Sequence, residues 1–225
     1  MKIVVISDTH GQHRKLKLPK GDMIIHSGDV SKRGHPIEID DFLEWFSNLN
    51  FRHKVFIAGN HDFFLEGAHP DIIGRMIPKN VVYLNDSGIE IDGLKIWGSP
   101  ITPYFHDWAF NRNRGEEIKL HWDLIPDDTE ILITHGPPFG ILDENVDGKR
   151  LGCEELLSRV LQVQPKYHIF GHIHEGYGML VKKEVEFVNA SVLDDRYELK
   201  NRPSMISIMR KDSSIDIKNH ISVSL

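Results

Sequence analysis

The sequence predicts an α/β fold built on mixed β-sheets, and three observations predict it. Short Val- and Ile-rich runs alternate with segments whose apolar residues recur at helical spacing. From Gly178 onward the chain carries the period-2 alternation typical of antiparallel strands. Five of the apolar runs stop directly at a glycine, a carboxylate or an imidazole. Ligands of open α/β sheets bind beyond the carboxyl ends of the strands, so this third regularity bears on function as much as on fold.

Taken in order, Lys2–Ser7 (KIVVIS) and Asp22–Ser27 (DMIIHS) are continuous apolar runs of strand length. Ile37–Leu49 has helical spacing, and Pro36 stands where a proline's fixed φ suits a first turn. Lys54–Ala58 is a third strand, and His69–Ile77 is a short helix opening with Pro70. Short strands follow at Val81–Leu84, Gly88–Ile91 and Leu94–Gly98. Glu116–Trp122 reads as a helix, Glu130–Thr134 as a strand, Cys153–Gln162 as a helix and Tyr167–Phe170 as a strand. Glu184–Ala190, Met205–Met209 and Ile215–Lys218 alternate and are expected to form antiparallel strands. No linker, repeat or low-complexity tract interrupts the chain, so residues 1–225 are expected to form one domain.

Composition narrows the partners. With 40% hydrophobic and 27% charged residues the chain reads as an ordinary soluble globular protein. Its net charge of −6 argues against a binder of long nucleic acid, which carries a basic footprint, but leaves room for a small anionic substrate at a locally positive site. The single cysteine, Cys153, excludes an internal disulfide and fits a cytoplasmic location, and it is read as a packed helix residue rather than a nucleophile. The apolar run in MKIVVISDTH is too short for a signal sequence or membrane span, and no membrane association is expected. Histidine is the unusual component, at 14 of 225 residues.

The strand ends use those histidines. KIVVIS runs into Asp8-Thr9-His10, DMIIHS into Gly28-Asp29, and KVFIA into Gly59-Asn60-His61-Asp62. EILIT runs into His135, and YHIF into Gly171-His172-Ile173-His174, where an extended backbone would place both imidazoles on one side. Pooled on one rim, Asp8, His10, Asp29, Asn60, His135, His172 and His174 are mixed oxygen and nitrogen metal donors without a thiolate. Seven donors exceed one tetrahedral ion and suit two ions sharing a carboxylate, the arrangement of two-metal hydrolytic sites. Two carboxylates leave such a pair net positive, so it attracts a phosphate oxygen, and Asn rather than Asp at position 60 preserves that charge. Glycines 28, 59, 136 and 171 permit sharp turns and close approach at the rim.

In order, these motifs resemble those of the calcineurin-like metallophosphoesterase superfamily. ISDTHG, IAGNHD, GSPITPYF, WAFNRNRG, THGPPFG, HIFGHIHEGYG and NAS resemble its small metallophosphoesterase-domain-containing branch. The resemblance implies two mixed β-sheets packed as a sandwich flanked by helices, the α/β/β/α fold. It implies one divalent ion on Asp8, His10, Asp29 and His174 and a second on Asn60, His135 and His172, with Asp29 bridging. Manganese is the first expectation, and iron, zinc, magnesium, nickel and cobalt are compatible with the same donors. His61 then becomes the general acid for the leaving alkoxide, with Asp62 holding its ring. The branch suggests a small phosphodiester substrate, including cyclic nucleotides. A phosphomonoesterase or phosphoprotein phosphatase is the alternative, and a non-catalytic scaffold should have lost donors that this chain keeps.

Substrate contacts are expected from Asp107–Glu117, which gathers Trp108, Phe110, Asn111, Arg112 and Arg114. Guanidinium groups bind phosphate and aromatic faces stack on bases, although Trp and Phe are more often core and Arg more often surface. Lys32 and Arg33 echo the Arg-Gly of phosphoprotein phosphatases, with solvated charge the plainer reading. Phe139 is expected to wall the pocket. Histidines 13, 26, 35, 53, 69, 106, 121, 168 and 220 are assigned structural or surface roles, and the oligomeric state is left open.

Overall fold

A computed structural model describes residues 1–208 of the chain. Its strands are β1 (Lys2–Ile6), β2 (Met23–Ser27), β3 (His53–Ile57), β4 (Val82–Tyr83), β5 (Ser87–Ile91), β6 (Leu94–Ser99), β7 (Thr102–Pro103), β8 (Asn111–Arg112), β9 (Ile131–Thr134), β10 (Tyr167–Phe170), β11 (Gly178–Lys182), β12 (Val185–Asn189) and β13 (Ser204–Ser207). Its α-helices are α1 (Pro36–Ser47), α2 (Phe63–Gly67), α3 (Pro70–Met76), α4 (Glu116–Trp122) and α5 (Glu154–Val163). One sheet runs β13-β1-β2-β3-β4 and the other β11-β12-β10-β9-β6-β5, while β7 and β8 pair apart. The expected strand Ile215–Lys218, the end of Met205–Met209 and His220 lie outside the described residues.

Period-2 alternation makes the sandwich. Ile3 and Val5 of β1, Ile25 of β2, Val55 of β3, Ile131 and Ile133 of β9 and Ile169 of β10 share one apolar cluster between the sheets. Their neighbours Val4, Ile6, Ile24, Phe56, Leu132 and Phe170 point the other way, into a cluster with the helices. There Phe42 of α1 meets Phe56 and His26 edge-on, and Ile118, Trp122, Leu156 and Val160 of α4 and α5 are buried as well. Two mixed sheets with a helical layer outside each is the architecture implied by the motifs.

Local differences have physical reasons. The helix α2 follows Asp62 at once, in a stretch too short for helical periodicity to register. The tail is not wholly antiparallel, because β12 pairs parallel with β10 although antiparallel with β11. Alternation reports a half-buried strand, not the direction of its neighbour. Cys153 is buried at the N-cap of α5, its Sγ accepting from Leu156 N–H, and burial pushes the thiol up to about 11. Among the described residues no helix is long and apolar enough to cross a membrane.

Two core histidines set an acid limit. His26 Nδ1 accepts from Gly28 N–H, so its Nε2–H donates to Thr9 Oγ1. Thr134 Oγ1 donates to Gly136 O and so accepts from His168 Nε2–H. Burial holds both imidazoles down at about 3, against an ordinary value of 6.5. Their contribution to stability is complete above 6.5 and is lost as the pH falls toward 3. Urea unfolding at pH 4.5 should show a loss of roughly 2–3 kcal/mol per histidine relative to pH 7.5. A His168→Leu variant should lose less; an identical acid dependence in that variant would refute the assignment.

Candidate active site

The carboxyl ends of β1, β2, β3, β9 and β10 meet at one rim because β1-β2-β3 and β9-β10 run parallel within their sheets. Ser7 stitches the two sheets together there, its N–H donating to Ala190 O (2.9 Å) and its carbonyl accepting from Val192 N–H (3.0 Å). Beyond the strand ends the chain turns sharply. Asp8, His10, Asp29 and His172 have φ of 55°, 40°, 56° and 68°, left-handed values that cost about 1–3 kcal/mol each outside glycine. Main-chain bonds hold this strain, Asp8 N–H to Gly28 O (3.0 Å) and His10 N–H to Asp29 O (3.1 Å). The two imidazoles of Gly171–His174 therefore enter the site through a left-handed turn and a short 3-10 helix, not along the extended backbone that the sequence suggested.

Asp29 stands at the centre. Its Oδ2 is 3.5 Å from His10 Nε2 and 3.4 Å from His135 Nε2, and its Oδ1 accepts from His61 N–H at 2.8 Å. Donor atoms within 4.8 Å of one another form the groups Asp8–His10–His174, Asp8–Asp29–His135 and His10–Asp29–His61. Asn60 Oδ1 adjoins His135 Nε2 at 2.8 Å. The His172 ring packs edge-on against His135 at 5.1 Å and the main-chain N–H of His172 donates to Asp8, but the ring nitrogens fall outside those close groups.

The hydrogen bonds fix which nitrogens face inward. A carbonyl only accepts, so His135 Nδ1–H donates to Ser27 O (3.0 Å) and His174 Nδ1–H donates to Asp194 O (2.8 Å). Both rings thereby turn Nε2 toward the carboxylates. Burial would push these two imidazoles down, yet the carboxylates outweigh it: Asp29 and Asp8 hold His135 up at about 9, and Asp8 holds His174 up at about 9. Burial would raise both carboxyls, but His174 holds Asp8, and His135 holds Asp29, well below the usual range. Burial pushes His10 down to about 4 and His172 to about 3, so those two rings are neutral at neutral pH.

These residues fit divalent cations. Asn60 Oδ1 and the inward lone pair of a neutral His135 are two acceptors facing each other, an arrangement that needs a cation between them, either a proton or a metal. Both ring nitrogens of His10 and the Asn60 amide nitrogen are buried without a hydrogen-bond partner among the described residues. Buried polar atoms left unpaired cost about 1–3 kcal/mol each, which coordination of the ring nitrogens would offset.

His61 faces a cavity of about 670 Å³ lined with Gln12, Lys32, Phe63, Trp108 and Tyr197. Its ring meets Trp108 edge-on at 4.6 Å, and its Nδ1–H donates to Lys32 O (3.0 Å). Asp62 does not hold that ring, contrary to expectation. Its buried carboxylate accepts from Val30 N–H, Ser31 N–H, Ser31 Oγ–H and Gly59 N–H, tying the loop of Asp29 to the loop of Asn60. Burial and the neighbouring Asp29 charge raise it to about 6.

Of the expected substrate contacts, Trp108 reaches this cavity, but Asn111, Arg112 and Arg114 do not line it. Arg112 is engaged by Glu66, His121 and Asn111 O; Arg114 donates to the carbonyls of Leu151 and Gly152; Asn111 pairs with Thr102 and Phe105 N–H. These side chains brace loops because carbonyls and carboxylates of neighbouring segments take up their donors. Phe139 is not among the lining residues, whereas Lys32, Arg33 and Trp108 are. Sequence reasoning also missed Ser191, whose Oγ–H donates to Asp8 Oδ2 at 2.6 Å, Asp194, whose carbonyl orients His174, and Tyr197. The NAS motif was the one available signal.

Comparison with known proteins points to one family and fold. The calcineurin-like phosphoesterase family model matches residues 1–176. The chain is 39% identical over 230 residues to human "Metallophosphoesterase domain-containing protein 1", covering 92% of this chain and 71% of that one. It is 24% identical over 166 residues to a "Probable cyclic nucleotide phosphodiesterase" of Synechococcus, covering 72% of this chain and 61% of that one. Among solved structures, a phosphopantetheinyl hydrolase from Mycobacterium tuberculosis superposes with a TM-score of 0.60 at 15% identity, covering 87% of this chain and 90% of that one, a likeness of fold.

Proposed function

The chain belongs to the calcineurin-like phosphoesterase family of metal-dependent phosphoester hydrolases, and on that premise we propose that it hydrolyses a small phosphodiester at a dinuclear metal centre. The observation that carries the reading is Asp29, one carboxylate within 3.5 Å of imidazoles from two different donor groups. Asp8, His10, Asp29 and His174 would hold one ion, and Asp29, Asn60, His135 and His172 the other, with manganese the first expectation. When bound, such ions supply Lewis-acid charge neutralisation and a water acidic enough to act as nucleophile near neutral pH.

The remaining chemistry falls to the protein. His61 donates its Nδ1–H to Lys32 O, so Nε2 is the nitrogen that can pass a proton to the departing ester oxygen. The carbonyl of Lys32 and the edge of Trp108 orient the ring in place of a carboxylate. Phe63, Trp108 and Tyr197 give the cavity apolar walls that exclude water around the ester substituents, while Lys32 and Arg33 draw in an anion. Aromatic walls in a cavity of about 670 Å³ suit a diester with a flat substituent, and the name carried by the Synechococcus relative supports a nucleotide.

A manganese-loaded preparation assayed against p-nitrophenyl mono- and diesters and cyclic nucleotides tests the reading. Faster diester turnover is expected. Faster monoester turnover would overturn the diesterase assignment, and no turnover despite stoichiometric metal would restore the scaffold alternative.

A further inference from the structure

The turn after β12 presents a tyrosine to the site at conformational expense. Tyr197 has φ of 59° and is 46% exposed. Its N–H donates to Asp194 O (2.9 Å), and the Asp194 carboxylate accepts from Arg196 N–H and Glu198 N–H (3.0 Å each), closing a tight loop. Gln12 Nε2–H donates to Tyr197 O at 3.0 Å and fastens that loop to the segment after His10. A strained backbone persists only where its surroundings over-determine it, and such residues gather at ligand clamps.

What the loop presents is specific. The Tyr197 ring stands edge-on to His10 at 4.9 Å and to His174 at 5.1 Å, both members of the Asp8–His10–His174 group. It lines the cavity that His61 also lines. Among the described residues none accepts a hydrogen bond from its hydroxyl, whereas the Ser191 hydroxyl nearby is committed to Asp8. A phenol beside a cation-binding group, neutral at ordinary pH and with its O–H unspent, is a donor waiting for an anionic oxygen.

We propose that the Tyr197 hydroxyl donates a hydrogen bond to a non-bridging oxygen of the substrate phosphoryl group, making it a substrate-binding residue of this site. The proposal rests on the phosphoesterase reading above. It places the phosphoryl group between Tyr197 and His61, with the ester substituents spreading toward Trp108 and Phe63. Lys32 and Arg33 then attract the anion at the mouth rather than gripping its phosphorus.

The test uses Tyr197→Phe, which keeps the ring against His10 and His174 and removes only the oxygen. Inorganic phosphate is titrated calorimetrically into the manganese-loaded wild type and variant, alongside diester kinetics. Loss of one such hydrogen bond should weaken phosphate binding and lower kcat/KM by roughly 10-fold each, with metal content unchanged. Unchanged phosphate affinity and kinetics would overturn the role, and loss of metal in the Phe variant would overturn it in favour of a purely structural one. A wild type that binds phosphate but turns over no diester would sink the diesterase reading, while the two phosphate affinities still decide Tyr197.

Discussion

Replacing His61 with alanine will leave the metal content of the protein unchanged and cut turnover by about 10²–10⁴, the usual worth of a positioned general acid. The geometry makes this a sharp test, because His61 belongs by distance to a donor group with His10 and Asp29. Two features separate it from the ligands. Its N–H anchors Asp29 Oδ1 at 2.8 Å, a main-chain contact that alanine retains. Its ring is held by Lys32 O and by Trp108 at the wall of the cavity, on the solvent side of the carboxylates. The loss should fall on kcat and should be smaller for esters with an acidic leaving group, which departs without a proton. Metal analysis showing an ion lost with His61 would make it a ligand instead.

Substituting Gly171 by alanine will disrupt the site, while the same change at Gly136 will be tolerated. A Cβ at Gly171 would lie 2.0 Å from Asp8 Oδ2 and 2.2 Å from Ser7 Oγ, both buried and both fixed. Asp8 cannot yield freely, because Ser191 Oγ–H and His172 N–H hold its carboxylate. Overpacking of this kind costs about 1–3 kcal/mol, and here it displaces a group expected to bind metal. Fewer ions per chain and a lower Tm are therefore expected of Gly171→Ala. At Gly136 the nearest atom to a new Cβ is Thr102 Cγ2 at 3.4 Å, and φ is not left-handed, so Gly136→Ala should keep both its metal and its stability. Normal metal content in Gly171→Ala would contradict the packing argument.

The contrast between the two glycines shows where sequence reading stopped. Both follow an apolar strand and adjoin a histidine, so the two look alike along the chain. They differ because Gly171 abuts a residue from the opposite sheet, brought there by Ser7 bonding across to Ala190 and Val192. Asp62 and His61 show the same limit, since adjacency suggested a dyad while the fold turns the carboxylate inward to three donors of the Asp29 loop and to Gly59 N–H.

By itself the sequence determined the layered α/β architecture, the rim at which the strands end and the kinds of donor collected there. Those properties are local: alternation places side chains on sheet faces, and glycine, aspartate and histidine mark each exit from a strand. Only the tertiary structure decided that Asp29 lies between two groups of imidazoles, that Arg112 and Arg114 brace loops, and that Tyr197 faces the cavity. Such contacts join residues as far apart as Asp8 and Ser191, 183 positions away. No short-range pattern encodes them, because the free energy that selects them is the packing of one sheet against the other.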